Sequence, residues 1–385
     1  MAATPIDQKT ILKHDLDHVW HPMAQHQALE QKPPLLITGA EGACITDAEG
    51  HEIIDGMAGL WCVNVGYGRK EIAEAVYQQM LKLAYYPHTQ ANVPAAEFAE
   101  YLSTLVNEDL RHIYFVNSGS EANEAAFKLA RQYHKQTGNP GKYKIIGRYY
   151  SYHGTTMATL GAGAIPDRKA KYEPISEGFI HVQPPYCYRC PFGQEPGTCG
   201  MTCAKQIEYV IEAEGAETVA AIVMEPIQSS LGIIVPPDEY MPMVEAICRK
   251  HNVLLIVDEV INGFGRTGKW FAHQHWGIKP DIMAVAKGIS SGYLPLAATF
   301  VSDRIFQAFK GEVGEMRHAV QVNTFGGHPA ACAAGMANVK IMERENLPEK
   351  SAAVGAYMLA KLRDLQERTP YIGDLRAKGL FIGIE

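Results

Sequence analysis

The sequence lacks any long apolar run and any excess of positive charge. Its longest apolar stretches, such as VLLIV at 253–257, fall far short of the roughly 20 residues that cross a bilayer. The N-terminal segment mixes charges throughout and has no apolar core of a secretory signal, so we expect a cytoplasmic protein with no membrane partner. Lys and Arg number 35 against 42 Asp and Glu, and this net charge of -7 argues against nucleic acid as a partner.

The chain also lacks internal repeats, low-complexity tracts and linkers rich in glycine or serine, so its domain boundaries are weakly marked. Its length of 385 residues suggests about two domains. We assign residues 1–60 to a smaller domain, 61–320 to a large domain and 321–385 to the start of a C-terminal small domain. The final GLFIGIE is a predicted strand without its partners, so we expect the sequence to be incomplete.

Cysteine is not scarce, but its pattern is ambiguous. Four of the eight cysteines form one cluster, CYRCPFGQEPGTCGMTC, with Cys187, Cys190, Cys199 and Cys203. The first pair has the C-x2-C spacing of a zinc knuckle. The short loop between the pairs and the C-x3-C spacing of the second pair favour buried, unligated thiols in a reducing compartment. We expect no metal and keep a zinc-stabilised binding protein as the non-enzyme alternative.

Apolar runs rich in Val, Ile and aromatic residues alternate with segments of helical period. Such near-continuous runs are typical of strands that are buried on both faces of a parallel sheet. The predicted strands span residues 112–116, 142–148, 219–225, 253–259, 281–286 and 296–301. The sequence therefore predicts an α/β protein whose mainly parallel central sheet carries helices on both faces.

Two further segments have clear local patterns. Residues 120–138 predict a helix, because alanine and leucine recur on one stripe and Gly138 supplies a natural stop. Residues 42–56 predict two strands that are joined by a turn at 47–50. This hairpin indicates that the N-terminal region belongs to a smaller α+β unit.

Open α/β sheets bind ligands beyond the carboxyl ends of their strands. NSGSEAN follows the 112–116 strand and opens the helix, with Gly119 allowing close backbone approach and Ser118 and Ser120 offering hydroxyl groups. Main-chain N–H groups and the helix dipole there form a cradle for phosphate. An ordinary serine N-cap explains the same residues without any ligand.

Aromatic and acidic side chains follow other strands at the same edge. YYSYHGTT places Tyr152 and His153 there, where a ring could stack on a flat heterocycle or simply pack. The 253–259 strand ends in Asp258 and Glu259, and a buried carboxylate needs a cation or strong donors. A pyridinium nitrogen would serve as that partner, whereas an acid just beyond the sheet could instead be exposed.

Lys287 directly follows the apolar residues 282–286 and precedes the small-residue loop GISSGYLP. A lysine held against apolar walls has a lowered pKa and can attack a carbonyl, whereas one that turns out to solvent cannot. A phosphate cradle, an aromatic ring, a carboxylate and a reactive lysine at one sheet edge predict a site for pyridoxal 5'-phosphate.

GFGRTG, residues 263–268, matches the dinucleotide pattern G-x-G-x-x-G. However, the acidic residues precede the glycines, and KWFAHQHWG after them lacks the amphipathic helix that would receive a pyrophosphate. We therefore do not expect nicotinamide binding.

The combined motifs resemble those of the class III (omega) aminotransferases, of the omega-amino acid:pyruvate branch. The similarity runs from GLWCVNVGYG to GLFIGIE, and its motifs are NSGSEANEAA, YHG, MEPI, DEVINGFGRTG, AKGISSGYLP and TFGGHPAACAAG. The resemblance implies a fold-type I enzyme that depends on pyridoxal phosphate. It also implies a homodimer, with a tetramer as the alternative assembly, whose active sites lie at the subunit interface.

The resemblance further implies roles for individual residues. Lys287 would attach to the cofactor and later move a proton, and Asp258 would pair with the pyridine nitrogen. Tyr152 would stack on the ring, and Thr324 would reach the phosphate of the partner subunit. The remaining residues that it places around the cofactor are Ser118, Gly119, Ser120, His153, Gly154, Glu225 and Ile261.

Two departures bear on the substrate. Relatives that act on ornithine, acetylornithine or 4-aminobutyrate have glutamine where this chain has Ile261, which favours the pyruvate branch. Trp61 resembles the aromatic wall of that branch's substrate pocket, whereas His88, Thr89 and Gln90 are polar where amine-selective relatives are aromatic. These residues favour a small polar donor such as taurine or β-alanine. The arginine that binds the acceptor carboxylate in relatives is expected beyond residue 385.

The sequence thus predicts an aminotransferase that passes the terminal amino group of a small omega-amino acid to pyruvate. The products would be alanine and an aldehyde, formed in a ping-pong sequence. An amine:pyruvate transaminase of broad specificity, or a decarboxylating or aminomutase relative, is the alternative within the same fold.

Overall fold

A computed structural model describes residues 7–106 and 109–385. Its helices are α1 Gln8–His18, α2 His26–Gln31, α3 Ala58–Trp61, α4 Lys70–Lys82, α5 Val93–Thr104, α6 Gly119–Gln136, α7 Met157–Gly163, α8 Pro166–Lys169, α9 Thr202–Ala213, α10 Tyr240–Lys250, α11 Asp303–Ala308, α12 Pro329–Arg344 and α13 Leu347–Gln366. Short 3-10 turns cover Ala272–His275 and Lys287–Ile289. The strands are β1 Ile37–Glu41, β2 Cys44–Asp47, β3 Glu52–Ile54, β4 His112–Val116, β5 Lys144–Arg148, β6 Phe179–Val182, β7 Val219–Met224, β8 Leu254–Asp258, β9 Ile282–Val285, β10 Ala297–Val301, β11 Leu375–Lys378 and β12 Phe381–Ile384.

Seven strands form the central sheet in the order β4-β10-β9-β8-β7-β5-β6. Strand β10 runs antiparallel to both neighbours, β4 and β9, and the other adjacent pairs are parallel. The six predicted strands are confirmed as β4, β5, β7, β8, β9 and β10. The fold class is therefore the one that the sequence predicts, although the sequence did not reveal β6 at the sheet edge.

Helices cover both faces of this sheet, and strand β8 shows how its sequence permits this. Leu254 and Ile256 pack with the buried face of α6, whereas Leu255 and Val257 join the cluster that includes α9 and α10. Every residue of β8 is buried, which is why its sequence is a continuous apolar run that ends in an acid.

Helix α6 follows β4 and begins the site. The hydroxyl of Ser118 accepts the main-chain N–H of Glu121 at 3.2 Å, which is the geometry of an N-cap. The alanine stripe of this helix is buried, and the helix ends two residues before Gly138, whose φ of 84° suits glycine. The predicted helix is confirmed.

Two small antiparallel sheets lie outside the central one. The predicted hairpin is confirmed as β2 and β3, to which β1 adds a third strand. Strand β12 pairs with β11, so the expectation that GLFIGIE has no partner is wrong. The domain boundaries at residues 60 and 320 stay a prediction. Within 7–106 and 109–385, none of the helices combines the length and apolar character that a bilayer crossing requires.

Candidate active site

A cavity of about 190 Å³ opens at the carboxyl edge of the central sheet. It is lined by Gly119, Ser120, Tyr152, His153, Gly154, Glu225, Asp258, Val260, Ile261 and Lys287. These residues stand at or just beyond the ends of β4, β5, β7, β8 and β9. The sequence predicted all of them as site residues except Val260. Parallel strands thus bring together side chains that are up to 168 residues apart in the chain, from 119 to 287.

Asp258 is buried, and its carboxylate accepts three hydrogen bonds from neighbouring residues. Its Oδ2 accepts from Nδ1 of His153 at 2.7 Å and from Nδ2 of Asn123 at 2.8 Å. Its Oδ1 accepts the main-chain N–H of Val260 at 3.0 Å. No Lys or Arg side chain among the described residues forms a salt bridge with it, so the carboxylate is held by hydrogen-bond donors and remains available to a cationic ligand.

Glu225 is a second buried carboxyl group, directly after β7. Its oxygens accept the main-chain N–H of Tyr152 at 3.3 Å and that of Ser229 at 2.9 Å, and the hydroxyl of Ser229 also donates to it. Burial raises the pKa of Glu225, although attraction to His153 and the hydrogen bonds from Ser229 oppose this shift. The protonated form of Glu225 is therefore favoured more than in water.

Lys287 is half-buried and lies just beyond β9. Burial lowers the pKa of its amine, although attraction to Asp258 opposes this shift. Its φ is +49°, a left-handed conformation that is uncommon for a residue with a side chain. A lysine that loses its proton more easily than usual is suited to attack an aldehyde or imine carbon.

The N-terminus of α6 closes the other end of the cavity. The main-chain N–H groups of Gly119 and Ser120 have no acceptor within the part of the chain that the structure describes. A Cβ on Gly119 would lie 2.9 Å from Val260, and one on Gly154 would lie 2.6 Å from the hydroxyl of Ser120. Glycine at both positions therefore leaves room for an anion against free N–H donors.

Three predicted site residues do not line this cavity. The hydroxyl of Ser118 caps α6, as the alternative explanation of NSGSEAN proposed. Trp61 is not among the lining residues and packs in a small cluster with Ile261 and Phe381. Thr324 is exposed, and its carbonyl accepts the hydroxyl of Tyr85 at 2.7 Å.

The polar segment His88, Thr89 and Gln90 also lies outside the cavity. A Cβ on Gly327 would be 2.7 Å from the ring of His88, so this segment adjoins the loop that carries Thr324. The structure places the two segments next to each other, and neither contributes to the lining of the cavity that contains Lys287.

Sequence reasoning missed Asn123, Ser229 and Val260. Asn123 holds both Asp258 and the carbonyl of His153, at 2.8 and 2.9 Å. The sequence could have indicated Asn123, because it is a polar residue next to Ala122 on the buried side of α6. Ser229 had no comparable signal, since its contact with Glu225 depends on the turn that follows β7.

The four clustered cysteines line a different cavity, of about 450 Å³, which shares no residue with the first. Among the described residues, the groups of three potential ligands that converge to metal distance are Asp47, Glu49, His51 and Glu208, Glu212, His251, and neither includes a cysteine. Burial raises the pKa of Cys203 to about 11. The structure gives the zinc-stabilised alternative no support.

Three features of the lining fit pyridoxal phosphate. The free N–H groups of α6 suit its phosphate, the buried Asp258 suits its ring nitrogen, and Lys287 suits its aldehyde. A sheet edge with these groups defines an enzyme that holds a phosphorylated aldehyde cofactor.

Comparison with known proteins identifies the family. The family described as aminotransferase class-III matches residues 26–385. An uncharacterized aminotransferase of Bacillus subtilis, YhxA, is 50% identical over 100% of this chain and 84% of its own length. The taurine–pyruvate aminotransferase of Rhodobacter capsulatus is 41% identical over 100% of this chain and 83% of its own. The crystal structure of an (S)-enantioselective omega-transaminase from Thermomicrobium roseum superposes with a TM-score of 0.93, at 40% identity, over 100% of this chain and 85% of its own.

The chain belongs to the class III aminotransferases. It is therefore an enzyme of fold-type I that depends on pyridoxal phosphate, as the motifs predicted.

Proposed function

We propose that this enzyme transfers the terminal amino group of a small omega-amino acid, taurine or β-alanine, to pyruvate. The observation that carries the proposal is the cavity in which a half-buried amine and a buried carboxylate meet, with the apolar Ile261 at its rim. The donor class is supported by the taurine–pyruvate relative, which is 41% identical over the whole chain. The products would be alanine and an aldehyde.

When bound, pyridoxal phosphate supplies an aldehyde that captures amines and a ring that takes up electrons. We assign the proton transfer at the substrate carbon to Lys287, whose lowered pKa lets its amine take up and return a proton. Asp258, whose Oδ2 is held by His153 and Asn123, would pair with the ring nitrogen of the bound cofactor.

Other residues would hold the cofactor in place. We assign phosphate binding to the N–H groups of Gly119 and Ser120, and ring stacking to Tyr152. The guanidinium of Arg168 lies 4.7 Å from the centre of the Tyr152 ring, so this ring is itself braced from outside the cavity. Glu225, Gly154 and Ile261 complete the wall.

Thr324 belongs to the same proposal through a homodimer. Apolar and aromatic side chains around it are exposed, with Tyr86 at 53%, Val322 at 69% and Phe325 at 59%. An exposed surface of this kind is typical of a subunit interface. Thr324, with the adjoining His88 segment, would then face the active site of the partner subunit.

The proposed cytoplasmic location is supported by the eight cysteines, all of which are free thiols.

The test is a donor panel with the purified holoenzyme and pyruvate, in which alanine formation is followed. Taurine or β-alanine should exceed 1-phenylethylamine in kcat/KM by about tenfold or more, because a polar pocket discriminates strongly against a donor that leaves its groups unpaired. Preference for 1-phenylethylamine would favour the amine:pyruvate alternative. Carbon dioxide release, or product without pyruvate, would favour the decarboxylating or aminomutase alternative.

A further inference from the structure

The turn over α3, hereafter the 58–61 turn, has an unusual backbone. Ala58, Gly59, Leu60 and Trp61 are four consecutive residues with φ of 48°, 57°, 67° and 69°. The main-chain N–H of Trp61 donates to the carbonyl of Met57 at 2.8 Å, so this is one turn of left-handed helix. Such a turn is unfavourable for residues that carry a Cβ, and it persists only where neighbouring groups hold it.

Two groups hold the 58–61 turn from opposite ends. The carboxylate of Asp55 accepts the N–H of Gly59 at 2.6 Å, at the start of the turn. The guanidinium of Arg266 donates from Nη2 to the carbonyl of Trp61 at 2.8 Å and to Oδ1 of Asn64 at 2.9 Å, at its end. Arg266 is 205 residues from Trp61 in the chain, so this support comes from a segment that is distant in the sequence.

Arg266 also reaches the cavity wall. Its Nε donates to the carbonyl of Ile261 at 3.0 Å, and Ile261 lines the cavity that contains Lys287. One guanidinium therefore fixes both Ile261 and Trp61, which pack in the same apolar cluster. The planar fork of arginine is the side chain that can donate to three acceptors in fixed directions.

The main chain of Arg266 is held by two further hydrogen bonds. Its carbonyl accepts the hydroxyl of Ser351 at 2.8 Å and the N–H of Leu380 at 3.1 Å. Within residues 7–106 and 109–385, no carboxylate lies within salt-bridge distance of its guanidinium. Arg266 is half-buried and donates only to neutral oxygens, so it orients these groups through the geometry of its hydrogen bonds.

The same hydrogen-bonded unit touches the lysine loop. Nδ2 of Asn64 donates to the carbonyl of Phe264 at 2.8 Å, so segments 61–64 and 264–266 are joined in both directions. A Cβ on Gly288, the residue after Lys287, would lie 2.6 Å from Nδ2 of Asn64. The turn is thus clamped against the residues that carry the reactive amine.

We propose that Arg266 is a positioning residue, which holds the left-handed 58–61 turn in place and fixes Ile261, the wall residue that the amino donor meets, together with Trp61, which packs against it. This rests on the proposed function for the identity of the donor. The proposal also explains the GFGRTG segment without nucleotide binding. The element that follows its glycines is a short 3-10 turn, Ala272–His275, and not the helix that a dinucleotide site requires. The segment supplies Arg266, which donates hydrogen bonds to the carbonyl groups of Ile261 and Trp61.

The experiment compares wild-type holoenzyme with Arg266→Met, Arg266→Lys and the control Arg131→Met. Arg131 also donates to a main-chain carbonyl, that of Tyr143, but it contacts neither the turn nor the cavity. Hydrogen exchange is measured over residues 57–64, together with bound cofactor per chain and kcat and KM for the donor. The exchange readout needs no substrate, so it remains decisive even if every omega-amino donor fails.

Arg266→Met should speed exchange in 57–64 by about tenfold to hundredfold, because hydrogen bonds to a charged group are lost. Donor KM should rise about tenfold with a smaller change in kcat, and cofactor content should stay at that of the wild type. Arg266→Lys should fall between the two, and Arg131→Met should match the wild type. Should Arg266→Met fail to fold, the two single variants Arg266→Lys and Asn64→Ser are compared with the wild type by the same measurements. Exchange within about twofold of wild type in the Arg266 variants, or loss of kcat with KM unchanged, would overturn the proposal.

Discussion

Nδ1 of His153 lies 2.7 Å from Oδ2 of Asp258, and both side chains are almost completely buried. His153 comes from the loop after β5 and Asp258 from the end of β8, two strands separated in the sheet by β7. Asn123 of α6 donates to the same carboxylate oxygen. Asp258 is therefore oriented by two elements outside its own strand, the loop after β5 and helix α6, and we expect its charge to be essential for activity.

Asp258→Asn tests that charge. Asparagine has nearly the same shape but carries no negative charge to stabilise a protonated ring nitrogen, so kcat should fall by about 10² to 10³ while cofactor still binds. Stopped-flow absorbance of the amino-donor half-reaction measures the effect. Asp281→Asn is the matched control, because Asp281 is also buried but pairs with Arg249 and Arg304 at the other end of β9. Activity of Asp258→Asn within about tenfold of wild type would contradict the assigned role.

Gly119→Ala tests the phosphate end of the cavity. The new Cβ would lie 2.9 Å from a methyl group of Val260 and should push the free N–H groups of α6 out of place. Overpacking by about 1 to 3 kcal/mol should weaken cofactor binding roughly tenfold to hundredfold. Titration of cofactor-free protein with pyridoxal phosphate gives the dissociation constant. The double variant Gly119→Ala/Val260→Ala should recover much of the affinity, and equal affinity for all three proteins would exclude this packing explanation.

Lys287→Met tests the environment of the amine in cofactor-free protein. Because burial lowers the pKa of Lys287, the folded protein below that pKa carries a poorly solvated charge that the unfolded chain keeps in water. This cost is complete below the lowered pKa of the folded protein and disappears above the ordinary lysine pKa of 10.5. Lys287→Met should therefore be more stable than wild type near neutral pH, with a gain that shrinks as pH approaches 10.5.

Urea unfolding at several pH values measures that gain. Lys128→Met is the control, since Lys128 is exposed on α6 and its replacement should give no such trend. A difference between Lys287→Met and wild type that does not change with pH would show that the amine is well solvated.

Thr324→Glu tests the shared site of the proposed homodimer. Glutamate would repel a phosphate, so Thr324→Glu and Lys287→Ala should each be nearly inactive alone. When the two variants are combined and their subunits exchange, half of the dimers should contain one subunit of each variant. If Thr324 serves the partner's site, each of these dimers has one intact site, which combines Lys287 of one subunit with Thr324 of the other. Activity should then return to about a quarter of wild type. A mixture no more active than the sum of its parts would place Thr324 outside the partner's site.

The strands and the main site residues were predictable because buried parallel strands leave a strong pattern. Leu254 to Asp258 is apolar up to the acid, and sheet topology alone brings that acid to the edge where Lys287 lies. By contrast, β6 is short and only partly buried, and β1 pairs with an irregular register, so neither leaves a clear period in the sequence.

The surroundings of Trp61 could not be predicted from its local sequence. Alanine, leucine and tryptophan rarely adopt left-handed backbone, and nothing in GLWCVN indicates that Ala58 to Trp61 do so. The group that stabilises Trp61 is Arg266, and contacts between residues so distant in the chain follow from tertiary packing alone. Trp61 packs with Ile261 and Phe381 and is not among the residues that line the cavity, and its role in substrate binding stays a prediction.

The most direct test of the account is to locate the lysine that holds the cofactor. Holoenzyme is treated with sodium borohydride, which makes the lysine–cofactor bond permanent, and is then digested and analysed by mass spectrometry. The account predicts one labelled peptide, which contains Lys287, and no label when Lys287→Ala is treated in the same way. A label on another lysine, such as the buried Lys142, would contradict it.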